Sequence, residues 1–170
     1  MNTAYLLIGG NLGDRVSNLA GALALISERA GQPFAISALY ETAAWGLSNQ
    51  PDFLNQAIAI TTNLTASQLL ETILDIEAEM GRQRNEKYGP RLLDIDIIFF
   101  NSDIIDMASL TVPHPHLQNR RFVLVPLAEI APHLIHPVLQ TTIQQLLNDC
   151  PDPLDVKKFC PAKAANQVDL

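Results

Sequence analysis

Two aspartates separated by one residue follow a cluster of cations in this 170-residue chain. The stretch reads Arg82-Gln-Arg-Asn-Glu-Lys-Tyr-Gly-Pro-Arg-Leu-Leu-Asp-Ile-Asp96. Residues 92–100 are rich in Ile, Leu and Phe, which predicts a buried strand. Because side chains alternate along a strand, Asp94 and Asp96 face the same way, with Cα atoms about 6 to 7 Å apart. This spacing lets two carboxylates share one or two hard divalent cations.

The alternative for Asp94 and Asp96 is a pair of edge-strand carboxylates that face solvent or bond to arginine, and this is the commoner case for an isolated Asp-x-Asp. Burying two like charges side by side is costly without compensation, and Mg²⁺ typically binds one or two carboxylates together with phosphate oxygens and water. Four of the 11 Lys and Arg lie within residues 82–91 of a chain whose net charge is −7. We therefore favour a site for metal ions and a compact polyphosphate.

Composition predicts a single cytoplasmic domain over residues 1–170. Hydrophobic residues make up 48 % and charged residues 17 % of the chain, which is ordinary for a globular protein with a full core. The apolar run at residues 5–8 is too short to span a membrane. Cys150 and Cys160 lack metal-ligand neighbours, so free thiols in a reducing compartment are expected. The acidic net charge argues against general nucleic-acid binding, and we expect a monomer with no nucleic-acid or membrane partner.

Periodicity predicts the elements that position these residues. Apolar runs and alternation predict strands at residues 3–8, 34–41, 53–62 and 92–100. Apolar residues at helical spacing predict one helix that ends near Gly31 and a second over residues 66–80. The order βαββαβ predicts an α+β fold of the ferredoxin-like type, an antiparallel sheet with helices packed on one face.

The chain beyond residue 110 predicts a C-terminal extension of short helices and loops. Recurrent prolines divide this region, and one helix is expected at residues 125–131. The tail from about residue 150 is expected to be poorly ordered.

Three further motifs have both a structural and a functional interpretation. The glycine turn at residues 9–14 matches no phosphate-loop pattern, so a tight turn with Asp14 as a helix cap is favoured, although its glycines would let a flat ligand approach the backbone. Flanking prolines would hold His114 rigidly for a phosphate oxygen, or His114 is a structural hydrogen-bonding residue. Asn55 and Phe53 share one strand face. They are either core residues, or Asn55 hydrogen-bonds to the edge of a heterocycle and Phe53 stacks on its ring.

Six ordered blocks of the sequence resemble the 6-hydroxymethyl-7,8-dihydropterin pyrophosphokinase family of folate biosynthesis. The resemblance runs from residue 3 to about residue 135. It is carried by Tyr40-Glu-Thr-Ala-Ala-Trp-Gly46, Gln50-Pro-Asp-Phe-Leu-Asn55, Gly81-Arg-Gln-Arg84, Tyr88-Gly-Pro-Arg-Leu-Leu-Asp-Ile-Asp96, Leu110-Thr-Val-Pro-His114 and Asn119-Arg-Arg-Phe122.

The resemblance implies a ferredoxin-like fold and transfer of the pyrophosphoryl group of ATP to the hydroxymethyl oxygen of the pterin, with release of AMP. It implies that Asp94 and Asp96 hold two Mg²⁺ ions and that Arg82 and Arg84 act on a mobile catalytic loop. The implied ATP contacts are Tyr88, Arg91, Thr111, His114 and Arg120. The implied pterin slot is formed by Thr42, Trp45, Phe53, Asn55 and Phe122. Phosphoryl-type transfer needs positioning and charge neutralisation rather than a covalent nucleophile, which agrees with these residue types.

The sequence departs from the family pattern at several points, of which Ser109 matters most. Many members carry Arg there, so weaker retention of the triphosphate is expected. Ala43 and Ala44 follow Thr42 where prolines are common, and Tyr88 replaces a frequent Trp. Two alternative classes of function are a non-catalytic ligand-binding module and an RNA-binding sheet. The module would not need the acidic pair beside a basic loop, and the acidic charge opposes RNA binding.

Overall fold

The protein is described by a computed structural model over residues 1–44, 49–81 and 92–161. Its strands are β1 (Asn2–Gly10), β2 (Gln32–Ile36), β3 (Tyr40–Thr42), β4 (Phe53–Thr62), β5 (Asp94–Phe100), β6 (Ile105–Asp106), β7 (Thr111–Val112) and β8 (Val156–Lys158). Its helices are α1 (Arg15–Arg29), α2 (Ala66–Glu79), α3 (Arg121–Ile130) and α4 (Ile143–Asn148), with a 3-10 turn at Leu117–Asn119. No helix among these residues is long and apolar enough to cross a membrane.

The strands form one antiparallel sheet in the order β5-β1-β4-β3-β8, and β2 also pairs with β4. The β6 and β7 strands make a separate two-stranded ladder. The predicted mixed fold, an antiparallel sheet with packed helices, is confirmed at this level. The first strand lies at the centre of the sheet because both of its edges pair, one with β4 and one with β5.

Helices cover both faces of the sheet, whereas the sequence predicted helices on one face. Side chains of α1 and α2 pack with Leu6, Ile8 and Ile58 on the first face. On the second face, α3 and α4 pack against Leu7 and Phe99. Since successive residues of a strand point to opposite faces, the continuous apolar run of β1 reflects burial on both sides.

Local capping explains where the first two helices begin. Asp14 accepts the backbone N–H of Ser17 at 3.1 Å and caps α1, as the sequence predicted. Thr65 and Gln68 form a reciprocal capping box at the start of α2. These caps define the turns by which the chain leaves the C-terminal ends of β1 and β4.

The predicted strand at residues 34–41 is two short strands. Both β2 and β3 pair with β4 but are separated at Ser37, whose Oγ accepts the N–H of Ala57 at 2.9 Å. The N–H of Ala38 donates to a side-chain oxygen of Glu129 in α3 at 2.7 Å. This contact with a distant residue replaces a ladder hydrogen bond and allows the strand to break.

The C-terminal region is more regular than the sequence predicted. Helix α3 begins at Arg121, four residues before the predicted start, and includes Pro126 in its interior. The prolines were expected to end helical pieces, but Pro126 is buried in the apolar layer that α3 forms on the sheet. The tail adds β8 to the sheet beside β3.

Candidate active site

One cavity of about 530 Å³ extends from β5 across β1 and β4 to β3. Its volume is typical of a pocket for a small organic ligand. Every predicted site residue within the described ranges lines this cavity: Thr42, Phe53, Asn55, Asp94, Asp96, Thr111, His114, Arg120 and Phe122. Trp45, Arg82, Arg84, Tyr88 and Arg91 lie outside the described residues. The fold thus brings together residues separated by up to 80 positions of sequence, from Thr42 to Phe122.

The strand register places a carboxylate and a carboxamide in one row across the sheet. Asp94 is opposite Gly9, and Gly9 is opposite Asn55, so the two side chains project from the same face. A Cβ at Gly9 would lie 2.1 Å from Oδ1 of Asn55. The buried carboxamide of Asn55 therefore lies over the backbone of Gly9, a position that only glycine permits.

Asp94 and Asp96 are both half-buried, and Ile95 between them is buried in the core. The predicted alternation is therefore correct, and both carboxylates line the cavity. Within the described ranges, no group of three or more His, Cys, Asp and Glu could hold a metal ion. Two carboxylates would leave the other coordination positions of an ion to water and phosphate oxygens. This donor set fits Mg²⁺ and does not fit a structural zinc ion.

His114 is held between β7 and β5 as a neutral hydrogen-bond donor. Its backbone N–H donates to the carbonyl of Ile98 at 3.0 Å, and its Nδ1 accepts the N–H of His116 at 3.4 Å. Burial, and then the positive charge of Arg120, lowers the pKa of His114 to about 4. With Nδ1 as an acceptor, the proton of the neutral ring is on Nε2. The ring can then donate one hydrogen bond to an anionic oxygen in the cavity.

Arg120 and Phe122 enter the cavity from the start of α3. The guanidinium carbon of Arg120 lies 5.8 Å from the centroid of the Phe122 ring, which is a cation–π distance. Phe53 reaches the same cavity from β4. A positive charge therefore lies next to aromatic surface, so the cavity can accept an anionic group beside a flat ring.

The hydroxyl of Thr42 is a buried polar group at the cavity. Thr42 is buried, and its Oγ1 has no hydrogen-bond partner in the described part of the chain. Buried polar atoms in proteins are nearly always hydrogen-bonded. Because Thr42 lines the cavity, a polar ligand is the natural partner for this hydroxyl.

Glu77 is a cavity residue that the sequence interpretation missed. It lies on α2, is only 3 % exposed and lines the cavity beside Leu70 and Leu74. Glu77 falls within the helix predicted over residues 66–80, but it was assigned no role from the sequence. A carboxylate on the buried face of an amphipathic helix is itself a signal, because burying a charge needs a specific reason.

Fold and cavity together define a class of protein. It is a mixed α/β protein with an antiparallel sheet. Its cavity contains an acidic pair, an arginine and a neutral histidine together with aromatic and amide side chains. Such a cavity suits a metal-bound phosphate compound at one end and a flat heterocycle at the other.

Comparison with known proteins gives the family within this class. The family model described as 7,8-dihydro-6-hydroxymethylpterin-pyrophosphokinase (HPPK) matches residues 5–132. A 2-amino-4-hydroxy-6-hydroxymethyldihydropteridine pyrophosphokinase from Synechocystis is 44% identical over 150 residues, which cover 86% of this chain and 76% of the relative. A protein of the same name from Aquifex aeolicus is 40% identical, with 85% of this chain and 90% of the relative covered. The chain belongs to the HPPK family, and the family predicted from the sequence is confirmed.

Solved structures agree on the fold. The crystal structure of Plasmodium falciparum HPPK-DHPS with pteroate matches 87% of this chain with a TM-score of 0.72 at 18% sequence identity. The chain spans 42% of the length of that structure, so the likeness concerns one part of a longer protein. The function predicted from the sequence is the activity that the family's name states, pyrophosphoryl transfer to a hydroxymethyldihydropterin.

Proposed function

We propose that this chain transfers the terminal pyrophosphoryl group of ATP to the hydroxymethyl oxygen of 6-hydroxymethyl-7,8-dihydropterin and releases AMP. The observation that carries the proposal is that a single cavity contains both sets of residues, those suited to a metal-bound triphosphate and those suited to a pterin. Family membership supports the same reaction.

Asp94 and Asp96 are proposed to hold Mg²⁺, with two ions expected. When bound, Mg²⁺ would neutralise negative charge on the transferring phosphate and the departing AMP. His114 would donate its Nε2–H to a phosphate oxygen, and Arg120 would contribute positive charge beside it. Thr111, which is exposed at the cavity wall, is proposed to contact the triphosphate as well.

The pterin is proposed to lie against Asn55 and Thr42. The carboxamide of Asn55 offers a donor and an acceptor to the edge of a heterocycle. The hydroxyl of Thr42, which has no partner among the described residues, would gain one from the ligand. Phe53 and Phe122 supply apolar ring surface from β4 and α3. Gly9 leaves room for the carboxamide and lets the ligand approach the central strand.

Several finer predictions belong to this proposal. Arg82 and Arg84 are proposed to act on the transferring group, Tyr88 and Arg91 to bind ATP, and Trp45 to bind the pterin. The ferredoxin-like assignment is supported by the strand order β5-β1-β4-β3. A single domain, a monomeric state and a cytoplasmic location remain predictions.

The test is to incubate the protein with Mg-ATP and the hydroxymethyl pterin and to identify the nucleotide product by chromatography. Pterin-dependent AMP is the expected result, and it must be absent when the pterin is omitted. ADP as the product would contradict pyrophosphoryl transfer. Absence of any nucleotide product from folded protein that still binds the pterin would favour a ligand-binding module instead.

A further inference from the structure

The carboxylate of Asp152 is buried against the start of α3. It is 6% exposed, its Oδ2 accepts the backbone N–H of Arg121 at 3.1 Å, and its Oδ1 accepts the N–H of Leu154 at 3.0 Å. Arg120, at the N-cap position, makes no side-chain capping bond. The first N–H groups of a helix lack partners within the helix, and its N-terminus attracts negative charge. Asp152 therefore caps α3 from 31 residues further along the chain.

The side chain of Arg121 strengthens the same contact. Its Nε donates to the carbonyl of Asp152 at 3.1 Å, and its Nη2 donates to the carbonyl of Cys150 at 3.2 Å. The first residue of α3 is therefore bonded to segment 150–152 of the C-terminal tail through both its backbone and its side chain.

Two cavity residues flank this fixed position. Arg120 precedes Arg121 and Phe122 follows it, and both line the cavity, whereas Asp152 does not. The same tail continues into β8, where Val156 pairs with Thr42. The tail therefore supports the cavity from two sides, at the start of α3 and at β3.

We propose that Asp152 is a positioning residue for the reaction: through the N–H of Arg121 it sets the orientation in which Arg120 and Phe122 enter the cavity. This inference rests on the proposed function, because it assigns Arg120 to the triphosphate and Phe122 to the pterin. A helix start free to shift by about 1 Å would misplace both groups at once.

The experiment compares Asp152→Asn with Asp155→Asn. Asparagine at position 152 retains one acceptor but loses the charge and the second acceptor. Asp155 is the matched control, since it lies on the same tail, is highly exposed and only approaches Lys157, at 3.7 Å. For each protein the melting temperature, kcat and both KM values are measured well below the lowest melting temperature. Amide exchange across residues 117–124 is measured in parallel.

We expect Asp152→Asn to lower kcat/KM about 10-fold for both substrates and to accelerate exchange at the start of α3, while Asp155→Asn stays within about twofold of the wild type. Asp152→Ala should have a larger effect, and if it does not fold, the Asn variant alone decides. A lower melting temperature with wild-type kinetic constants would make Asp152 purely structural and overturn the inference. Wild-type protein without pterin-dependent AMP would overturn the proposed function itself, which separates the two failures.

Discussion

The dipeptide His-Pro occurs twice in this chain, and the two turns serve different parts of the molecule. In both, Nδ1 of the histidine accepts a backbone N–H from two residues further on: His114 from His116 at 3.4 Å, and His136 from Val138 at 3.1 Å. Nδ1 of His136 accepts a second N–H, from Leu139, at 3.0 Å. Burial lowers the pKa of both rings. The local chemistry is therefore nearly the same.

The surroundings of the rings differ. His136 packs edge-on against Phe99, with ring centroids 5.7 Å apart, and is buried beside the second core layer. His114 lines the cavity beside Arg120. The same His-Pro turn can thus stabilise a core loop or present a neutral imidazole to a ligand. Its role depends on whether the ring packs against core residues or lines a cavity. Changes on the cavity side should impair turnover, and changes on the core side should impair stability.

The prediction that changes at the cavity impair turnover is tested most strongly at Asp96. Asp96→Ala should lower turnover by roughly 10³-fold or more, because a carboxylate that holds metal acts mainly in the transition state. Pterin affinity should change far less, and the melting temperature should not fall. Steady-state kinetics and pterin titration measure the two effects. Asp103→Ala, at an exposed turn carboxylate outside the cavity, is the control. Pterin affinity that falls in parallel with the rate would contradict the metal assignment.

Substitution of His114 should impair activity, whereas substitution of His136 should impair stability. His114→Ala should lower kcat/KM for ATP about 10- to 100-fold, the range expected for one hydrogen bond to a charged group, with little change in stability. His136→Ala should lower the free energy of unfolding by about 2 kcal/mol or more and leave kcat/KM near wild type, because two backbone N–H groups lose their acceptor. Kinetics and urea unfolding on both variants measure this.

Asparagine provides the matched control at both positions. Its side-chain oxygen can accept the N–H two residues on, as Nδ1 does, but it offers no Nε2–H at the same place. His136→Asn should therefore recover part of the stability lost in His136→Ala. His114→Asn should stay as slow as His114→Ala, and recovery of activity by the asparagine would show that the ring does not donate to ATP.

Low pH should lower the free energy of unfolding through both histidines. An unfolded histidine has a pKa of about 6.5, whereas the folded pKa is lowered at both positions, to about 4 at His114. As the pH falls, the unfolded chain therefore binds protons before the folded protein does, so the free energy of unfolding decreases below about pH 6.5. For His114 the total decrease is at most about 3 kcal/mol, reached once the pH is below the folded pKa. Above pH 6.5, roughly, neither group contributes a pH dependence. Urea unfolding near pH 7 and pH 4.5 should show a smaller decrease in the Asn variants. An unchanged decrease would mean that these rings are not the titrating groups.

The smallest expected effect is a change in ATP affinity on substitution of Ser109. It is exposed and lines the cavity, at the position where the sequence predicts weaker retention of the triphosphate. Ser109→Arg should tighten ATP binding about threefold, since an exposed charge in high dielectric contributes little. Ser109→Gln adds length without charge and should have no effect. Unchanged ATP affinity in the Arg variant, measured by calorimetry, would show that this departure is neutral.

The sequence was sufficient for the elements whose signal is local. The apolar runs of β1, β4 and β5 and the periodicity of α1 and α2 placed these elements within a few residues. The break at Ser37 was missed because it depends on Glu129 in α3, and β8 was missed because three residues of unremarkable composition become a strand only by pairing with β3. Helix α3 was predicted too short because recurrent prolines were expected to divide this region into short helices.

In the candidate site, too, features with a local sequence signal could be predicted and features that depend on distant contacts could not. The shared face of Asp94 and Asp96 could be predicted from strand alternation, and the nearby cations suggested the metal site. The roles proposed for Arg120 and Phe122 came from the resemblance. Glu77 was visible as a charge on an apolar stripe but was not interpreted. The overlap of Gly9 with Asn55 could not be predicted, because it requires the register of two strands 46 residues apart.

The central position of β1 has a consequence for synthesis of the chain. Its sequence is strongly apolar, yet its partners are β4 and β5, which begin at Phe53 and Asp94. A ribosome that has released only β1 and α1 presents a hydrophobic strand with two open edges, the kind of surface that promotes aggregation. Chaperone protection should therefore matter most until β4 and β5 have emerged.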